Sequence, residues 1–181
     1  MRIQEITNYI DQSEGIHLAR LLILIGAFEQ PDRPAIEGIT KLAKLDFLLR
    51  YPTYFERAVV KRGGSPPVGT VPDYERHTVE AQMVRYRFGP WDHRLRRFLN
   101  LLAARGLIKI SVEGRTVMIS STKVGIEAFS RLSALEEFRS IAERARVLKK
   151  RLDIGATNLM KFIYETFPEI ASLDFNEAIQ P

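Results

Sequence analysis

The 181-residue chain has no cysteine. That excludes a disulfide, a thiolate metal site and a cysteine nucleophile, and it suits a reducing compartment. Histidine is nearly as scarce. His17, His77 and His93 are scattered, with no zinc-like spacing between them. Long apolar runs are missing too: the longest, Leu21 to Ile25, falls far short of the about 20 residues that span a bilayer. The first residues, MRIQEITNYIDQSEG, lack the basic-then-apolar pattern of a secretory signal. A cytoplasmic protein with no membrane association is therefore expected. Phosphate-cradling glycine loops are absent as well, because Gly63-Gly64 follow Lys61-Arg62 and have no lysine where a nucleotide would need one. Glu75, Glu80 and Asp92 show no paired-carboxylate spacing that calls for acid–base chemistry. The expectation is a protein that is not an enzyme, with no catalytic, metal or cofactor residues.

What is present is enough to build a core. Apolar residues make up 45% of the chain and aromatic residues 9%. Lysine and arginine exceed aspartate and glutamate, giving a formal charge of +5 and a pI of about 9.6. Such a balance permits an anionic partner without requiring one.

Periodicity sets the expected order of elements. Residues 13–28 read as a helix capped by Ser13, with Ile16, Ala19, Leu22, Ile23 and Gly26 on its inner face. GITKLAKLDFLLRYP reads as a second helix capped by Thr40 and ended by Pro52, with Leu42, Leu45, Leu48 and Leu49 buried. Lys44 and Arg50 lie off that stripe, and the Lys41 stem lies on apolar surface while its charge reaches water. A third helix fits residues 53–61. The glycine- and proline-rich GGSPPVGTVP then marks a loop, part of an insertion over about 62–78 that reads as a mobile surface segment. VEAQMVRYRF reads as a helix or, at its end, a strand. Gly89-Pro90-Trp91-Asp92 reads as the start of a helix over 91–105, with Leu95, Phe98, Leu99 and Leu102 inward and Gly106 as its left-handed stop. Ile108, Ile110 and Val112, then Val117 and Ile119, alternate around Glu113-Gly114 as a hairpin, and Ser121 or Thr122 caps the next helix.

A helix whose terminal glycine leads straight into a hairpin points to a winged helix-turn-helix. The expected fold is mainly α with a small β-hairpin. It comprises a winged-helix domain over 1–125 with its insertion, and a C-terminal helical extension over 126–181 packed on it as one unit. In the extension Phe129, Leu132, Leu135, Phe138, Ile141, Ala145 and Leu148 recur at helical spacing. Its polar side ends in Arg144, Arg146, Lys149, Lys150 and Arg151. Leu159, Phe162, Ile163 and Phe167 form a shorter amphipathic helix before an acidic tail.

VRYRFGPWDHRLRRFLNLLAARGLI, residues 84–108, carries six arginines against the single acid Asp92. Arg85 and Arg87, interleaved with Tyr86 and Phe88, read as internal anchors for buried acids such as Asp46. On a recognition-type helix and its wing, Arg94, Arg96, Arg97, Arg105, Lys109 and Arg115 are the candidates for phosphates or base edges. The opposing reading is a solvated face, or ion pairs with the chain's own acids.

Three stretches, EGITKLAKLDFLLRYPTYFERAV, VEAQMVRYRFGPWDHRLRRFLNLLAARGLI and LMKFIYETFPEI, resemble the small middle component of bacterial ABC three-component systems, as in Lamassu-type antiphage defence. The resemblance runs from about residue 21 to 170. It implies a non-catalytic accessory subunit whose partners are an SMC-like coiled-coil ATPase and an effector, often a nuclease; the basic helix and wing are the candidate for non-specific contact with double-stranded DNA. Leu159, Phe162, Tyr164 and Phe167 are the expected partner-binding residues. The alternative is a free-standing winged-helix regulator that dimerises through one long helix over 124–151 and reads two half-sites; a third is an adaptor that touches no DNA.

Overall fold

Over residues 17–28 the first helix is buried on every side rather than along one stripe. In α1 (Ile3–Phe28), Leu18, Leu21, Leu24, Ile25 and Phe28 are buried along with the expected Leu22 and Ile23, while Ile16 is 49% exposed. A helix apolar all round is buried all round, so a single inner face was the wrong template. The helix also begins ten residues before Ser13, so Ser13 lies inside it and not at its start. The computed structural model describes residues 3–73, 83–84, 94–172 and 178–179. Within them the chain is mainly helical with a small antiparallel sheet.

A short strand, β1 (Ile36–Glu37), leads into α2 (Ile39–Arg50), which starts at Gly38, so Thr40 sits within the first turn and is not the cap. Nine successive residues, Lys41 to Leu49, are buried. Lys44 is therefore not on a solvated side, and the Lys41 charge does not reach water but pairs with Asp153 at 2.8 Å. The reason lies far along the chain, where later helices cover the face that an isolated domain would leave wet. Pro52 opens α3 (Pro52–Lys61) as its first residue, a place where its missing N–H has no helical acceptor. Beyond α3 the loop does not hang free. Thr70 and Val71 are buried, and the Arg144 guanidinium donates to the Thr70 carbonyl at 2.9 Å. That correction removes Arg144 from the polar cluster too, since it is 2% exposed. β2 (Met83–Val84) pairs with β5 (Ala178–Ile179). Gly89-Pro90-Trp91-Asp92, Arg85, Arg87, His77 and His93 lie outside the described residues.

The helix expected over 91–105 is described as α4 (Leu95–Ala104), with Leu95, Phe98, Leu99 and Leu102 buried as read. Its end is a Schellman motif. The Gly106 N–H donates to Ala103 O at 2.9 Å and the Leu107 N–H to Leu102 O at 3.0 Å, with Gly106 at φ 68, a conformation glycine adopts without strain. The chain then enters β3 (Ile108–Glu113), turns at Gly114-Arg115, and returns as β4 (Thr116–Ser121). β1 joins the other edge of β4, with Ile36 opposite Ile119, so the sheet order is β1-β4-β3. This third strand is too short to leave a period in the sequence. Thr122 caps α5 (Lys123–Ala134): its Oγ1 accepts from the Gly125 N–H at 3.0 Å and donates to Gly106 O at 2.6 Å.

The single long helix expected over 124–151 is instead two. Leu135 is extended (φ −76, ψ 139), a 3-10 turn occupies Glu136–Phe138, and α6 (Arg139–Leu152) follows. Ala142, Ala145, Leu148 and Leu152 of α6 are buried in the chain's own core, so the dimer helix of a regulator is not on offer in that form. α7 (Ala156–Thr166) and α8 (Glu169–Ser172) complete the extension. α6 packs along α1 and reaches α2 and α3, while α7 packs on α2 and α3. One apolar core runs from Leu18 to Ile170 without a break near residue 125.

Candidate nucleic-acid interface

The inward stripe of α4 sets its outward one. Burying Leu95, Phe98, Leu99 and Leu102 turns Arg96, Arg97, Asn100 and Ala104 to solvent, as a 3.6-residue repeat requires. The structure separates the six candidate cations into two groups. Arg97 is paired with Glu14 of α1 at 2.6 Å. Arg94, at the N-terminal cap, lies over the Phe98 ring at 5.4 Å and 3.4 Å from His17 Nε2. These two are committed within the chain. Arg96, Arg105, Lys109 and Arg115 are exposed, and none of the four has an ion pair or hydrogen bond from its side chain among the described residues. Lys109 lies on β3 and Arg115 in the hairpin turn, so together with Arg96 on α4 they place exposed cations on the helix and on the wing. Asn100, one turn from Arg96, was not singled out from the sequence. Its signal was present, because arginine and asparagine are the usual bidentate readers of guanine and adenine.

Under this surface lies a polar network that the sequence did not reveal. Arg20, in the middle of the apolar run of α1, donates Nε to Asp46 Oδ1 of α2 at 2.9 Å, with both side chains buried. Its Nη2 lies 2.9 Å from His17 Nδ1. Arginine only donates, so Nδ1 accepts and carries no proton. His17 also stacks on Phe98 at 5.3 Å, which links the network to α4. Asp46 is thus the anchor of Arg20. The clue available in sequence was a histidine and an arginine at i and i+3 inside an otherwise apolar stretch.

A second junction centres on Asp153, just after α6. Lys41 donates to it at 2.8 Å, Lys149 at 2.6 Å and Arg33 at 2.5 Å. Burial pushes the Asp153 carboxyl up, but the hydrogen bonds and charges of Lys149 and Lys41 together outweigh it and hold the group below its ordinary value of 3.8. Burial pulls the Lys44 ammonium below its ordinary 10.5. Burial, then the Glu169 carboxylate, pushes the Tyr54 phenol up to about 12 against the opposing charge of Arg57. Arg57 pairs with Glu169 and lies over the Phe167 ring at 4.8 Å, fastening α3 to the end of α7.

That packing bears on the expected partner residues. Leu159 and Phe167 are fully buried in the chain's own core, and Phe167 meets Tyr54 edge-on at 5.1 Å. Neither is available to a partner, because the apolar stripe of α7 is the one that covers α2. Phe162 is half-buried under Arg62. Tyr164 is exposed, as is Met160 one turn before it.

No group of three or more metal-ligating side chains occurs among the described residues, and no described helix is long and apolar enough to cross a membrane. No protein-family model, curated protein or solved structure matches the chain.

Proposed function

We propose that the chain is a winged-helix accessory subunit, without catalysis of its own, of an SMC-like ATPase and effector nuclease complex in antiphage defence. In this reading it docks on the ATPase and lays α4 and the β3–β4 wing against double-stranded DNA. The observation that carries the DNA contact is the set of unneutralised cations, Arg96, Lys109 and Arg115, on one helix and the hairpin that follows it. Support for the winged-helix reading comes from the element order and from β1 closing onto β4, which together give a three-stranded sheet whose hairpin follows α4. The identity of the complex rests on the sequence resemblance in 21–170. A cytoplasmic setting belongs to the same proposal.

Contacts of this kind are electrostatic and weakly sequence-dependent, so affinity falls steeply as salt rises. The test is fluorescence anisotropy with labelled duplexes of unrelated sequence over a salt series, together with sedimentation of the chain alone. Similar, salt-sensitive affinities and a chain that is not a stable dimer support the reading. A tight, sequence-selective dimer would replace it with a regulator.

A further inference from the structure

Arg105 stands at the mouth of a cavity of about 350 Å³ between α1, the end of α4 and α5. Leu18 and Leu22 of α1, Leu102 and Leu107 around the end of α4, and Leu132 of α5 line this space. Among the described residues, Arg105 and Arg131 are its charged lining residues. Both arginines are exposed, and neither has an ion pair or hydrogen bond from its side chain among the described residues. Leu135, the extended residue just past the end of α5, is 48% exposed. An apolar trough rimmed by two unneutralised cations is complementary to an element that is apolar on one side and acidic beside it.

We propose that this groove is the docking site for an acidic amphipathic helix of a partner protein, with an apolar side chain seated on Leu18, Leu22 and Leu132 and carboxylates meeting Arg105 and Arg131. The proposal rests on the reading of the chain as a docking subunit, and it places the docking surface on α1 and α5 instead of on the α7 stripe that the core consumes. A helix suits the site because the trough lies between two helices and is open along one side, and because its rim is of one charge sign.

The test uses the full chain in its own host, carrying the photo-crosslinking residue p-benzoylphenylalanine at Ala128 in the groove, at the exposed Leu135 just past α5, and at Met160 on the far helix as control. Cross-links from Ala128 or Leu135 are expected to map to a partner segment with apolar residues at helical spacing and acids beside them. Arg105→Glu with Arg131→Glu is expected to cut their yield about tenfold or more, and changing the partner's acids to lysine to restore it. Both arginines are exposed, so thermal unfolding of the doubly substituted chain stays at the wild-type temperature. Capture of a partner from Met160 alone overturns the groove while leaving the docking reading in place. A cross-link to a second copy of this chain, or one indifferent to the charge reversal, overturns the proposed occupant. Capture from none of the three positions overturns both.

Discussion

Arg20 and Asp46 meet at 2.9 Å in the interior, one from α1 and one from α2. Breaking such a pair from one side strands a charge. Asp46→Ala is expected to lower the unfolding free energy by about 3–5 kcal/mol. Arg20→Leu combined with Asp46→Leu leaves no stranded charge and recovers most of the loss. Urea denaturation of the wild type and the two variants measures both effects, and equal losses in the single and double variants would contradict the assignment.

Asp153 gives the fold an acid-side sensitivity. Its folded-state pKa is held below 3.8, so the stability it contributes is fully present above the carboxylate's unfolded value. That stability is lost as pH falls through the lower folded one. Asp153→Asn is expected to cost about 2 kcal/mol at pH 7, moderated because Arg33 and Lys149 are partly exposed and rehydrate. The variant should also flatten the decline of stability below about pH 4. Thermal melts from pH 2 to pH 7 supply the comparison.

Tyr54 is 1% exposed and its hydroxyl has no hydrogen-bond partner among the described residues. Its ring does the packing, against Phe47 at 5.1 Å and Phe167 at 5.1 Å. Tyr54→Phe is expected to leave stability unchanged or raise it by about 1 kcal/mol, since it removes a buried polar atom with no partner. A clear loss in the melting temperature would show that the hydroxyl is satisfied in solution.

The cations of α4 and the wing are not equivalent. Arg96→Glu with Lys109→Glu and Arg115→Glu is expected to weaken duplex binding of the assembled complex and to lower its salt slope by about one for each phosphate contact removed. Arg97→Ala, which removes a residue already paired with Glu14, is expected to have a smaller effect. Anisotropy over a salt series separates the two.

What could be read in the sequence was what is decided locally. Gly106 as a helix stop, Leu95 to Leu102 as an inward stripe, the hairpin and the Thr122 cap all depend on residues within a few positions of one another. Only one arm of the Asp153 junction, Lys149 at i and i+4, had that property; Lys41 and Arg33 are more than a hundred residues away in sequence. The burial of α2 on all sides was likewise hidden, because α6 and α7 supply the cover. At the candidate interface the residue types were legible and their surroundings were not: Arg94 and Arg97 look as free as Arg96 until the fold lays Arg94 over the Phe98 ring and brings Glu14 of α1 to Arg97.

The most direct measurement is affinity purification of the tagged chain from its own host, with quantitative mass spectrometry of what remains bound. The account predicts a large coiled-coil ATPase recovered in a fixed ratio to the chain. Recovery of the chain alone, as a self-associated dimer, would contradict it.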